Sequence, residues 1–103
     1  LDNKDLKLIG YNRSVKNLVV HHARLAKRAG LDALVCSPFE VSVVKKIFKG
    51  EIITPGVQIG KKNYGQKRSM ESKKVNSDWL VVGRSVTQNG DIKKNIQKLI
   101  KSL

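Results

Sequence analysis

Two short segments of this chain carry the residues best suited to hold an anion. The first runs from Thr54-Pro55-Gly56 to Gln66-Lys67-Arg68, and the second is the Gly83-Arg84 step that closes Trp79-Leu80-Val81-Val82. Each follows a short apolar run that reads as a buried strand. A glycine lets the backbone come close to a phosphate, and a neighbouring Arg adds a planar fork of N–H donors. Gln66 adds a neutral amide donor from the longer loop. The chemistry these groups offer is phosphate binding, with Gln66, Gly83 and Arg84 as the candidate contacts. Gly83 also serves as a tight strand-to-helix turn, and Arg84 as a surface base, although its place after a buried strand favours the phosphate role.

Other reactive side chains are fewer. Ser37 opens Ser37-Pro38-Phe39-Glu40, a capping box with proline in the first turn. Its hydroxyl serves as a helix cap, a ligand contact, or both. Cys36 is the one cysteine of the chain, so no internal disulfide forms, and a reducing, cytoplasmic setting is expected. Lying in the apolar run Leu34-Val35-Cys36, it is read as a buried, inert thiol. His21-His22 invites a metal reading, but adjacent helical positions point in different directions, so one helix cannot ligate a single ion with both. His22, between Leu18 and Leu25-Ala26, is read as a partly buried core substitution. No metal and no cofactor are expected.

The elements that must position these residues follow from the apolar periodicity. Val15, Leu18, Val19, Leu25, Ala26 and Ala29 recur at helical spacing, with Ser14 as cap and Gly30 as the left-handed stop. Ala33 to Cys36 reads as a strand. A helix with Val43, Val44 and Ile47 inward follows and ends at Gly50, and Glu51 to Thr54 is the next strand. After the long Gly- and Lys-rich loop, a weak helix is expected near Met70 to Val75. Then come the strand Trp79–Val82 and a last helix, capped by Asp91, expected to bury Ile92, Ile96, Leu99, Ile100 and Leu103. The order is α-β-α-β-α-β-α. Strands joined by helices run parallel, with right-handed crossovers.

With 103 residues, the chain is read as a single small domain. Its 21 Lys and Arg against 8 Asp and Glu give a net charge of +13. The cations are scattered, without an arginine-rich arm, an aromatic stacking platform or zinc-finger spacing, so nucleic acid is not the expected partner. No apolar run approaches membrane-spanning length, and no membrane association is expected.

In (β/α)8 barrels, the loops after the seventh and eighth strands commonly hold phosphate, and a whole barrel needs roughly 250 residues. The motifs fit the end of such a barrel. Gly10-Tyr11-Asn12-Arg13-Ser14-Val15, Ala29-Gly30-Leu31-Asp32 and Val35-Cys36-Ser37-Pro38 come in order, followed by Thr54-Pro55-Gly56-Val57, Gln66-Lys67-Arg68 and Val81-Val82-Gly83-Arg84-Ser85-Val86-Thr87. Together they resemble the C-terminal portion of bacterial orotidine 5′-phosphate decarboxylase, which makes uridine monophosphate. The resemblance implies an α/β fold in which the three strands match the sixth to eighth of the barrel. It implies that Gln66, Gly83 and Arg84 hold the 5′-phosphate, that Ser37 contacts the pyrimidine, and that the long loop closes over bound nucleotide.

Three departures from the family pattern stand out. The catalytic D-x-K-x-x-D set, which belongs to the first half of the barrel, does not occur in these residues. Gln58 stands where the family's T-P-G-I-R places Arg, which removes one charged phosphate contact. The segment from Met70 to Asp78 is about a helical turn short of the family's usual length. The expectation is therefore a truncated or split homologue, inactive alone, binding phosphate or a nucleoside monophosphate weakly. Its partner would be a second copy or a complementary N-terminal half. The alternative is a repurposed basic α/β domain that binds nucleotides, anions or RNA.

Overall fold

A computed structural model describes residues 1–58, 70–71, 75–88 and 90–103. The chain opens with α1 (Asn3–Leu8), whose start is fixed by Asp2 and Asp5 in a reciprocal capping box. The sequence reading passed over this helix. α2 (Val15–Ala29) starts where Ser14 Oγ accepts from Asn17 N–H and stops at Gly30, which is left-handed at φ 73°. Asn3 Oδ1 accepts from Val15 N–H at 2.7 Å and so ties α1 to the start of α2.

β1 (Ala33–Val35) leads into a single 3-10 turn at Pro38–Glu40 and then α3 (Val41–Ile47). β2 (Glu51–Gln58) is the central strand, and β4 (Trp79–Val82) lies beside it, with the two-residue β3 (Met70–Glu71) also pairing to β2. Every pairing is parallel: Ala33–Val35 against Glu51–Ile53, Val57–Gln58 against Met70–Glu71, and Ile53, Thr54 and Val57 against Trp79, Leu80 and Val82. α4 (Arg84–Thr87) and α5 (Ile92–Ser102) complete the chain. The three main strands are parallel with flanking helices, as the sequence implies.

The sheet is covered on one face. Leu34 and Ile52 are register partners, and they meet Ala23 of α2 and Val41, Val44 and Phe48 of the α3 segment in one core cluster. Val44 and Ile52 are completely buried, each side chain contributing about 1.5–3 kcal/mol by leaving water. The opposite face, which carries Val35, Trp79 and Val81, is open, with Trp79 57% exposed. Strand side chains alternate between faces, so covering one face leaves every second residue in water.

Three expectations are corrected. Met70–Glu71 is a strand, not the start of a helix. β2 runs four residues past Thr54, and its extended backbone at Val57–Gln58 offers a ladder partner that overrides a weak helical pattern. His22 is exposed, not partly buried. The small Ala23 and Ala26, with Val19, let α2 approach the sheet and turn His22 aside.

The last helix does not bury its isoleucines: Ile92, Ile96, Ile100 and Leu103 are all exposed. α5 instead docks through Asn95, whose Nδ2 donates to the Val86 carbonyl at 3.0 Å, with Leu99 and Ser102 half-buried on the same side. One buried amide thereby sets the helix's rotation and turns the apolar stripe outward.

Candidate functional site

All the main strands are parallel, so their C-terminal ends share one edge of the sheet. β2 reaches that edge through a bulge. Between the pairs Thr54–Leu80 and Val57–Val82, β2 holds one residue more than β4. The extra length falls at Pro55-Gly56, where Pro55 has no N–H to donate and Gly56 is left-handed at φ 71°. A bulge bends its strand and re-aims the residues beyond it.

Here the bulge restores the register at Val57–Val82, so that Gln58 and Gly83, each one residue further on, come abreast. Gln58 is buried, whereas Gly83 and Arg84 are exposed. The sequence-based strand limit at Thr54 missed this extension. The Pro-Gly pair that suggests a loop marks a bulge within the strand.

Gly83 precedes α4, and its carbonyl accepts from Val86 and Thr87 N–H groups at 2.9 and 3.2 Å. Its backbone has negative φ, and a Cβ there would meet no atom within 4 Å. Its φ of −117° and ψ of −98° lie outside the regular helix and strand regions, and without a Cβ the backbone can be approached more closely than at other residues. Arg84 is the first residue of α4 and is exposed.

Ser37 lies at the same C-terminal edge, two residues beyond the Val35–Ile53 pair, and Cys36 N–H donates to the Ile53 carbonyl at 3.1 Å. Ser37 Oγ accepts from Phe39 N–H at 3.5 Å, a long cap, and Ser37 is half-buried. It also borders a cavity of about 380 Å³ between α2 and β1, together with His22 and Cys36. The structure thus groups Ser37, Gln58, Gly83 and Arg84 along one edge. Gln66 lies outside the described residues.

Cys36 is buried, and that burial pushes its thiol above the ordinary range, which keeps it protonated and unreactive. No cluster of metal-ligating side chains occurs among the described residues. None of their helices is long and apolar enough to cross a membrane.

A parallel β/α unit with helices on one sheet face and candidate anion-binding groups at the strands' C-terminal edge has the architecture of a (β/α)8-barrel segment. The model of the orotidine 5′-phosphate decarboxylase / HUMPS family matches residues 2–99, and the chain belongs to that family. Orotidine 5′-phosphate decarboxylase of Coxiella burnetii is 38% identical over 109 aligned positions, which take in 100% of this chain and 46% of the relative. That of Actinobacillus pleuropneumoniae is 40% identical over 99 positions, covering 88% of this chain and 42% of the relative.

The crystal structure of the Lactobacillus acidophilus decarboxylase superposes with a TM-score of 0.73 at 24% identity, covering 99% of this chain and 43% of the other. The chain therefore spans about half the length of its relatives, with 46% covered in the Coxiella protein, and it matches their C-terminal part.

Proposed function

We propose that these residues form the phosphate-holding end of an orotidine 5′-phosphate decarboxylase-type site, and that the 103 residues alone do not catalyse decarboxylation. The observation that carries the reading is the bulged register that pairs Val57 with Val82, so that Gln58 and Gly83 each follow one residue on. Decarboxylation in this family draws on a Lys and Asp set that these residues do not contain. Phosphate contacts supply remote binding energy, which accelerates the reaction only when groups at the reacting bond can use it. Buried Gln58 replaces the guanidinium that the family pattern places there, so affinity for phosphate or a nucleoside monophosphate is weak.

Strands from a complementary N-terminal half or, failing that, from a second copy pair at the sheet's edges and close the barrel over the open face at Val35, Trp79 and Val81. Parallel sheets are normally covered on both faces, which supports this reading.

Titration of uridine monophosphate followed by amide NMR tests the site. The Gly83 and Arg84 amides should shift first, and Arg84→Ala should abolish the shifts. Perturbation confined to the lysine-rich helix faces would overturn the assignment. Ultraviolet assay of orotidine 5′-monophosphate with the 103-residue chain should show no turnover.

A further inference from the structure

We infer that the groove between α2 and α3 is a docking surface for the sugar–phosphate backbone of a duplex nucleic acid, separate from the edge that carries Gly83 and Arg84. The groove has a volume of about 690 Å³. Arg24, Lys27 and Arg28 of α2 and Lys46 of α3 line it, over a floor of Leu25 and Ile47. No acidic residue lines it among the described residues. All four cations are exposed.

Neither helix supplies an acid to offset this charge, and five of the chain's eight acids are engaged elsewhere. Of the chain's eight Asp and Glu, Asp2, Asp5, Asp78 and Asp91 accept from backbone N–H groups, and Glu40 is buried beneath the start of α3. α2 carries no acid in its fifteen residues, and α3 none in its seven. No i,i+4 ion pair can therefore neutralise either wall of the groove.

The arrangement favours an extended polyanion over a single phosphate. Arg24 and Arg28 sit one helical turn apart, about 6 Å along the axis, and Lys46 faces them from the other helix. The four charges are spread along a surface, without a buried polar group on which one anion could converge. Phosphates spaced along a strand can engage such cations one by one, each contact releasing counterions. The one ring that lines the groove is the His21 imidazole, and a single ring makes no run of faces on which successive unstacked bases could stack. A duplex, whose bases are already stacked, fits that chemistry and would bind without sequence preference.

The test is fluorescence anisotropy of the full chain with a duplex of about 20 base pairs, arbitrary in sequence, in DNA and RNA forms across a salt series. Four phosphate contacts predict a slope of about −3.6 in log K against log salt. Arg24→Ala/Arg28→Ala/Lys46→Ala should cut it to about −0.9, one remaining contact. Lys93→Ala/Lys94→Ala/Lys98→Ala removes the same charge from α5 and should leave the slope nearly unchanged.

Binding of either duplex form supports the proposal, and a preference identifies the source. Three results would overturn it: no duplex binding at low salt, equal loss from both triple variants, or one-to-one displacement by millimolar inorganic phosphate. The substituted side chains are exposed, and an unchanged circular dichroism spectrum verifies that each variant is folded.

Discussion

Asp78 Oδ2 accepts a hydrogen bond from the backbone N–H of Ile52 at 2.9 Å, joining residues 26 apart in sequence at the start of the two central strands. Ile52 is completely buried, so its N–H has no water to turn to if the carboxylate is removed. An orphaned buried donor costs about 1–3 kcal/mol. Asp78→Ala should lower the unfolding free energy by that amount, read as a lower urea midpoint at unchanged m-value, whereas Asp78→Asn, which keeps a carbonyl acceptor, should lose less. Equal losses in the two variants would assign the effect to charge rather than to the bond.

A second bond crosses the same strand pair. The hydroxyl of fully buried Thr54 donates to Ser77 Oγ at 2.8 Å, and Ser77 in turn donates to the Ile52 carbonyl at 2.7 Å. Ser77→Ala strands the Thr54 hydroxyl and frees the carbonyl, and it should cost about 2 kcal/mol. Thr54→Val leaves Ser77 its own acceptor and should cost about 1 kcal/mol. The double variant should fall short of the sum, since residues in one network are coupled. Additive losses in denaturant titrations would show that the hydroxyls act independently.

Gly50 is a steric requirement. A Cβ there would run into the Asp32 carbonyl and come within 2.7 Å of the Phe48 ring. Phe48 is in the core cluster and Asp32 O accepts from Glu51 N–H at 3.0 Å, so neither neighbour yields freely. Gly50→Ala should destabilise by about 1–3 kcal/mol. Gly30→Ala, at the end of α2, meets no atom within 4 Å and is limited by its φ of 73° alone. Gly50→Ala should shift the Phe48 ring resonances, and Gly30→Ala should leave them in place.

The parts of the fold that depend on local chemistry were legible in the sequence. Ser14, Gly30 and Asp91 cap the helices they were expected to cap, because a cap is settled by two or three neighbouring residues. The parallel strands Ala33–Val35 and Trp79–Val82 fall where short apolar runs bounded by turn residues placed them. The illegible parts depend on a partner distant in the chain. Whether Thr54 ends β2 or precedes a bulge is decided by β4, and the rotation of α5 by one bond between Asn95 and Val86. At the candidate site, Gly83-Arg84 was visible as a motif, but its alignment with Gln58 came only with the register.

Burial raises the Cys36 thiol above its ordinary range, and that shift gives stability a signed pH dependence. The folded chain keeps the proton while the unfolded chain loses it near pH 8.5. Above that value the unfolded state binds fewer protons, so stability falls as pH rises, until the folded-state value is reached. The difference between the natural chain and Cys36→Ala isolates the share of the thiol and is the quantity to measure. The gap in unfolding free energy between them should narrow from pH 8 to 10 if burial governs the thiol. Alkylation by iodoacetamide at pH 8 should likewise proceed only as fast as the chain opens, accelerating in step with urea-induced unfolding.

Exposed apolar residues on two elements predict association. Val35, Trp79 and Val81 lie open on the sheet, and Ile92, Ile96 and Ile100 form an uncovered stripe on α5. Apolar surface of this kind marks a contact site when it is contiguous, and a one-sided parallel sheet needs its second face covered. In sedimentation velocity, the chain should therefore show a weight-average mass that rises with concentration. Trp79 reports the contact directly, since its emission should move to shorter wavelength as mass increases. Val81→Lys should suppress association through the sheet face, and Ile96→Lys through the helix stripe. If Ile96→Lys restores a monomer while Trp79 emission stays put, the helix stripe rather than the sheet is the contact surface. A monomer at every concentration, with water-exposed Trp79 emission, would show that the open face is tolerated uncovered.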